Sequence, residues 1–263
     1  MLRELFHFFV TPCPKTYRRL GYLSGLIAIQ GRYKRVADHW RTHLDNSRQL
    51  ILHAAAQTPQ RNKVVVIGSG LLLDVPVEML AKQFNTVILI DIAHLISVRL
   101  LCMRHSNITL VEHDITGLAE ALLSYRRGES LPRPQAGLPA VAQNADLIIS
   151  CNILSQLAIT PAQYLQQHFV VDGERLANWR QEIIFNHLAL LTEQPGQRVL
   201  LCDVFHDYLD RNDNLLYRED VLHGIKIGDP EQQWRWSIAP EGELDASYRL
   251  QATVSGFSNW SWP

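Results

Sequence analysis

The chain has 263 residues, 47% hydrophobic and 19% charged, with a formal net charge of -1. This is the balance of an ordinary globular protein, long enough for one large α/β core plus a small addition. No apolar run reaches the ~18–20 residues that a bilayer span needs, and a nearly neutral chain without a recognised RNA-binding module argues against a nucleic acid substrate.

Cys13, Cys102, Cys151 and Cys202 show no Cys-x-x-Cys spacing. They read as reduced thiols of a cytoplasmic protein, not as a disulfide frame or a zinc site. Residues 1–10 carry Glu4 and His7 and lack a small-residue cleavage site, so they make a poor signal peptide. Charge is uneven: residues 1–62 hold ten Lys/Arg against three Asp/Glu, and the remainder is acidic. After the Thr11-Pro-Cys-Pro14 breaker, two helices are predicted, about Thr16–Gln30 and about Arg32–Ala56, separated by Gly31. The second carries Val36, Trp40 and Leu44 at i, i+4, i+8. His39 and His43 lie four apart, but no third ligand has suitable spacing. Two solvent-facing histidines are expected and no metal.

From Lys63 the pattern alternates strand and helix, the sign of a parallel sheet with right-handed crossovers. Val64–Ile67 is a β-branched run suited to a strand buried on both faces. Gly68, Ser69 and Gly70 then make a sharp turn, and a helix is predicted over Val75–Phe84 with Asp74 as N-cap and Pro76 in its first turn. A second strand, Thr86–Ile90, ends on Asp91, about 20 residues after the glycines, where doubly wound folds hold a ribose hydroxyl pair. A helix over Ala93–Arg104 and a third strand, Ile108–Glu112, lead to His113-Asp114. A short helix bears Leu118, Leu122 and Leu123, and residues 126–144, rich in proline, read as an exposed, mobile loop. The fourth strand, Asp146–Ser150, runs into Cys151-Asn152. Helices from about Thr160 and over Glu174–Thr192 precede a fifth strand, Arg198–Cys202, which ends on Asp203. Residues 234–238 and 248–254 alternate as strands of an antiparallel hairpin. The expected fold is therefore a doubly wound, mostly parallel Rossmann-like α/β sheet with a C-terminal antiparallel hairpin. It comprises residues 63–263, with residues 1–62 as a helical lid or extension.

From Lys63 onward the chain resembles a class I S-adenosylmethionine-dependent methyltransferase. The Val65-Val-Ile-Gly-Ser-Gly70 stretch is similar to the family's first motif, whose glycines meet the methionine end of the cofactor. Asp91 matches its ribose-binding acid, and Asp114 the acid that contacts the adenine amino group. Ser150-Cys-Asn152 matches the segment beside the transferred methyl. Val66 stands where the family has an acidic residue, and Leu72 where it has a third glycine; Asp74 is near enough in sequence to substitute for the acid. The resemblance implies S-adenosylmethionine as cofactor, held by Gly68, Ser69, Gly70, Asp74, Asp91, Asp114 and Cys151. It implies a small-molecule acceptor attended by Asn152, Asp203 and His206.

His206 has the intrinsic pKa of a general base near neutrality, and Asn152 has the groups to orient an acceptor by hydrogen bonding. The Asn-Pro-Pro-Tyr motif of base and glutamine methylation is missing after strand four. Lys15, Arg18, Arg19, Arg32, Lys34 and Arg35 favour an anionic acceptor if their helices cover the site. Two rivals share part of the pattern. A nicotinamide-dependent oxidoreductase would use Gly68, Gly70 and Asp91 but needs neither Asp114 nor the hairpin. A non-catalytic protein built on the methyltransferase fold would explain Val66 and Leu72.

Overall fold

The computed structural model describes residues 7–262. The order of elements is α1 (Lys15–Leu20), α2 (Tyr22–Gln57), β1 (Lys63–Ile67), α3 (Val77–Gln83), β2 (Thr86–Asp91), α4 (Ile96–Cys102), β3 (Ile108–Glu112), α5 (Ala119–Ser124), β4 (Leu147–Cys151), α6 (Ile159–His168), α7 (Gly173–Thr192), β5 (Gln197–Leu209), β6 (Leu215–Asp220), β7 (Gln232–Ala239) and β8 (Arg249–Phe257).

The described strands form one sheet in the order β3-β2-β1-β4-β5-β8-β7, with β6 paired to β5 off that path. β1 to β5 are mutually parallel, and β6, β7 and β8 are antiparallel to their neighbours. β1 alternates between two cores, as a period-two strand must. Val65 and Ile67 join α5, α6 and α7 on one face, whereas Val64 and Val66 join α2, α3 and α4 on the other. The sheet is thus doubly wound and mostly parallel. Its strand order reverses between β1 and β4, so a crevice opens outside their carboxyl ends. Among the described residues no helix is long and apolar enough to cross a membrane, and all four cysteines are free.

Several local expectations are corrected. The N-terminal helices part at Gly21, which takes φ +94°, and not at Gly31; α2 runs on for 36 residues with a bend at Val36. The bend lets Leu23 and Ile27 pack on Ala93 and Leu95 while Val36, Trp40 and Leu44 pack on Trp236. Asp74 is not a helix cap, because α3 begins at Val77 behind Pro76. β5 does not end at Asp203. It continues to Leu209 through a register shift between Asp203 and Phe205, and its second half pairs with β6, which the sequence pattern did not reveal.

Residues 126–144, expected as an exposed loop, are strapped to the core. The backbone N–H groups of Gln135 and Gly137 donate to Thr116 and Ile115, and Pro132 O accepts from the Trp179 indole. A Cβ on Gly117 would lie 2.6 Å from Gln135 O, so only glycine admits that close approach.

Candidate functional site

The crevice at the switch point is a cavity of about 360 Å³. Its floor is the Gly68–Gly70 turn. Gly68 takes φ +76°, and a Cβ there would lie 2.7 Å from Ile153 Cβ and 2.9 Å from Cys151 O. The turn therefore nests against the segment after β4, and a side chain would push them apart. Leu72 takes φ +58°, the left-handed conformation that a glycine adopts without strain.

Asp91, at the end of β2, lines the cavity and braces the turn. Its Oδ2 accepts from Gly70 N at 2.6 Å and its Oδ1 from Ile92 N at 2.7 Å. Burial raises its pKa, opposed by His94 and by these backbone donors. Ser69 faces away from the cavity: its hydroxyl meets His94 Nε2 at 3.1 Å, and His94 Nδ1 meets Glu112, which also pairs with Arg99. That chain of bonds ties the turn to β3. Asp114 lines the cavity, but its carboxylate is engaged locally. It accepts from the N–H and hydroxyl of Thr116 and from Ala119 N, closing the entry to α5.

The segment after β4 supplies Cys151 and Asn152. Burial, and then the nearby Asp74 carboxylate, push the Cys151 thiol well above its ordinary pKa, so it is a neutral thiol. Asn152 takes φ +48°, donates from Nδ2 to Asp74 Oδ2 at 2.6 Å, and is buried. Asp74 and Asn152, 78 residues apart, thus form one polar unit.

A second polar unit comes from the far half of β5. Asp203 Oδ2 lies 2.5 Å from His206 Nε2, and its Oδ1 accepts from the Ser155 hydroxyl at 2.5 Å. Burial alone would lower the His206 pKa, but the hydrogen bond and charge of Asp203 outweigh it and the net shift is upward. Burial would raise the Asp203 pKa, but His206 and Ser155 outweigh that and lower it. In neutral His206 the Nε2 proton is given to Asp203, which leaves Nδ1 as the basic nitrogen. The register shift after Asp203 brings this pair together. Asn152, Asp203 and His206 all line the same cavity.

Sequence reasoning missed His43, which lines the cavity together with His113 and His206. The pattern places it in solvent with His39; only His39 is exposed, and His43 is buried beneath β7. Its ring stacks on Trp236 with centroids 4.0 Å apart and planes 7° apart, and its Nδ1 accepts from Trp234 Nε1 at 3.1 Å. Burial lowers its pKa to about 4, against the opposing charges of Asp74 and Asp203. Its spacing of three from Trp40 and seven from Val36, on the same helix face, was the available signal. No group of side chains suited to hold a metal occurs among the described residues.

The arginines expected to favour an anionic acceptor have other partners. Arg18 donates to Phe8 O and Thr11 O, and Arg35 pairs with Glu243. Lys15, Arg19 and Lys34 are exposed, and only Arg32 of the six lines the cavity, 3.7 Å from Glu243. Against it stand four lining carboxylates, those of Asp74, Asp91, Asp114 and Asp203.

No family model matches the sequence, and no curated protein matches it. Among solved structures, the chain is similar to a 1,6-didemethyltoxoflavin-N1-methyltransferase from Burkholderia thailandensis with bound S-adenosylhomocysteine. The identity is 16% over 93% of this chain and 91% of that one, with a TM-score of 0.42. It is also similar to the N-methyltransferase NodS of Bradyrhizobium japonicum WM9 at 14% identity, over 80% of this chain and 85% of that one, with a TM-score of 0.36. A SAM-dependent methyltransferase of Leishmania major is 12% identical over 96% of this chain and 82% of that one, with a TM-score of 0.34. Similarities this distant assign no function, which has to come from the chain's own geometry.

Proposed function

We propose that the chain is an S-adenosylmethionine-dependent methyltransferase acting on a small-molecule acceptor. The observation that carries this reading is the site at the switch point: a glycine turn braced by Asp91 opens into the same cavity as Asn152 and the Asp203–His206 pair. The lining fits the cofactor. Its four carboxylates suit a molecule that carries a sulfonium and an ammonium, and Leu72 takes the left-handed conformation of the glycine it replaces. Asp91 retains lone pairs for ribose hydroxyls beyond those given to Gly70 and Ile92. Asp74 is the carboxylate placed for the ammonium in the absence of an acid at Val66. Asp114, occupied by Thr116 and Ala119, shapes the adenine end through the backbone it holds.

When bound, the cofactor supplies a methyl group on a sulfonium, already activated for in-line displacement. The protein's share is positioning, water exclusion and one proton. Asn152 orients the acceptor, and Trp236, Ile238 and Leu250 keep water from its side of the cavity. His206 Nδ1 takes the proton that the accepting atom releases, while Asp203 stabilises the resulting imidazolium and Ser155 holds Asp203. The described part of residues 1–62 serves as a helical extension that closes the cavity, through α2 and its Trp40–His43 turn, while residues 1–6 lie outside the described residues. Calorimetric titration with S-adenosylmethionine and S-adenosylhomocysteine, with NADH and NADPH as controls, tests the reading. Binding of the first two alone is expected. Binding of the nicotinamides instead, or of none, overturns it.

A further inference from the structure

The hairpin end of the cavity contains a polar conflict that the chain does not resolve by itself. An indole N–H can only donate, so His43 Nδ1, which receives it from Trp234, carries no proton. The neutral ring therefore bears its proton on Nε2. That N–H faces Asn152 Nδ2 at 3.4 Å, and Nδ2 is itself a donor, committed to Asp74 at 2.6 Å. Turning the amide over would satisfy His43 but set Asn152 Oδ1 against the Asp74 carboxylate. With Nδ2 on Asp74, Oδ1 is buried and has no partner among the described residues, and neither has Trp236 Nε1. Buried groups of this kind cost stability unless something completes them.

We propose that this end of the cavity is the acceptor subsite and that it takes a neutral, planar molecule with a lactam-like edge. The ligand's carbonyl accepts from His43 Nε2–H, with a second lone pair for Trp236 Nε1–H, and its adjacent N–H donates to Asn152 Oδ1. Nδ2 and Oδ1 share one amide carbon, so the free acceptor lies beside the free donor, as a cyclic amide requires. The walls are flat and apolar: Trp40 meets Trp236 edge-on at 5.0 Å, and Leu44, Ile238 and Leu250 complete them. A net charge is disfavoured on both counts. Asp74 and Asp203 oppose an anion, while Asp203 is already paired with His206, and Asp74 is bonded to Asn152 and otherwise serves the cofactor's ammonium, so neither is left over for a cationic acceptor. That the ligand is the methyl acceptor rests on the methyltransferase reading; the recognition chemistry does not.

The test uses 2-quinolinone as the probe, with naphthalene, quinoline and quinoline-2-carboxylate as controls, followed by quenching of tryptophan fluorescence with and without S-adenosylhomocysteine. The lactam is expected to bind at least about tenfold tighter than each control. His43→Phe, which keeps a ring against Trp236, and Asn152→Leu are each expected to weaken it about tenfold while circular dichroism shows a folded protein. Equal or tighter binding of the carboxylate or of naphthalene, no binding of the lactam, or no effect of either variant in a folded protein overturns the proposal. The probe is also titrated without the cofactor product. Absence of S-adenosylhomocysteine binding therefore refutes the methyltransferase reading, while the lactam titration decides the subsite independently.

Discussion

His43 makes the stability of this protein depend on pH in a calculable way. Its pKa falls from an ordinary 6.5 to about 4 in the folded state, because burial disfavours the charged ring. The unfolded chain takes up a proton as the pH drops through 6.5, and the folded one does so only near 4. Stability is therefore full above 6.5 and is lost progressively as the pH falls toward 4. The loss from this one residue is about 2 kcal/mol at about pH 5 and about 3 kcal/mol by about pH 4. His43→Phe keeps a ring on Trp236 but has nothing to titrate. Leaving the Trp234 indole without its acceptor shifts the variant's stability by an amount that does not depend on pH. Urea denaturation of wild type and variant at about pH 7.5 and about pH 5 gives four stabilities. The difference between the two proteins should move by about 2 kcal/mol in the variant's favour at the lower pH. His187, also lowered to about 4 by burial, titrates in both proteins and cancels. A difference that stays constant within about 0.5 kcal/mol refutes the assignment of a buried neutral His43.

Gly68→Ala should lower stability by about 2 kcal/mol or more, read as a drop in melting temperature, since the new Cβ meets Ile153 and Cys151 at a φ of +76°; an unchanged melting temperature contradicts the nesting of turn and segment. Asp91→Asn should weaken S-adenosylhomocysteine binding by about 1.5–3 kcal/mol in calorimetry, and full affinity in a folded variant removes Asp91 from the cofactor site. On any acceptor that is turned over, His206→Gln should reduce kcat far more than cofactor affinity. The wild-type rate should rise with pH through a value above 6.5, because the raised pKa keeps His206 protonated below it, and the variant should lose that inflection.

Strands β1 to β4 were legible because each is a short apolar run leading into glycine or a polar residue, whereas only the first half of β5 follows that pattern. Asp91 and Gly68 were legible for the same reason, as both sit at fixed offsets from strand ends. What escaped was set by contacts between distant segments. The Asp203–His206 pair depends on a register shift that appears only when β8 lies alongside β5. β6 presents Leu215, Leu216 and Tyr217 to solvent and so shows no half-buried alternation. Gly31 looks like a breaker, yet an interior glycine costs a helix only about 1 kcal/mol, which packing outweighs. His43 looked like a surface residue because its hydrogen-bond partner Trp234 lies 191 positions further along the chain, with Trp236 close behind.

That last separation bears on how the molecule is made. Trp40 Nε1 donates to Ile238 O across 198 positions, and the Trp234 indole reaches His43 across 191. During synthesis α2 emerges long before β7 and β8, with an apolar stripe of Val36, Trp40 and Leu44 that has no hairpin to cover it. β1 to β5 can pair while β7 and β8 are still unmade, but one wall of the cavity waits for Trp236, Ile238 and Leu250. Contacts this remote in sequence are entropically slow to close, and the interval leaves tryptophan surface open to wrong partners. The cavity is thus completed later than the parallel sheet beneath it, and a ribosome-bound chain that has not yet reached residue 239 has strands but no enclosed cavity.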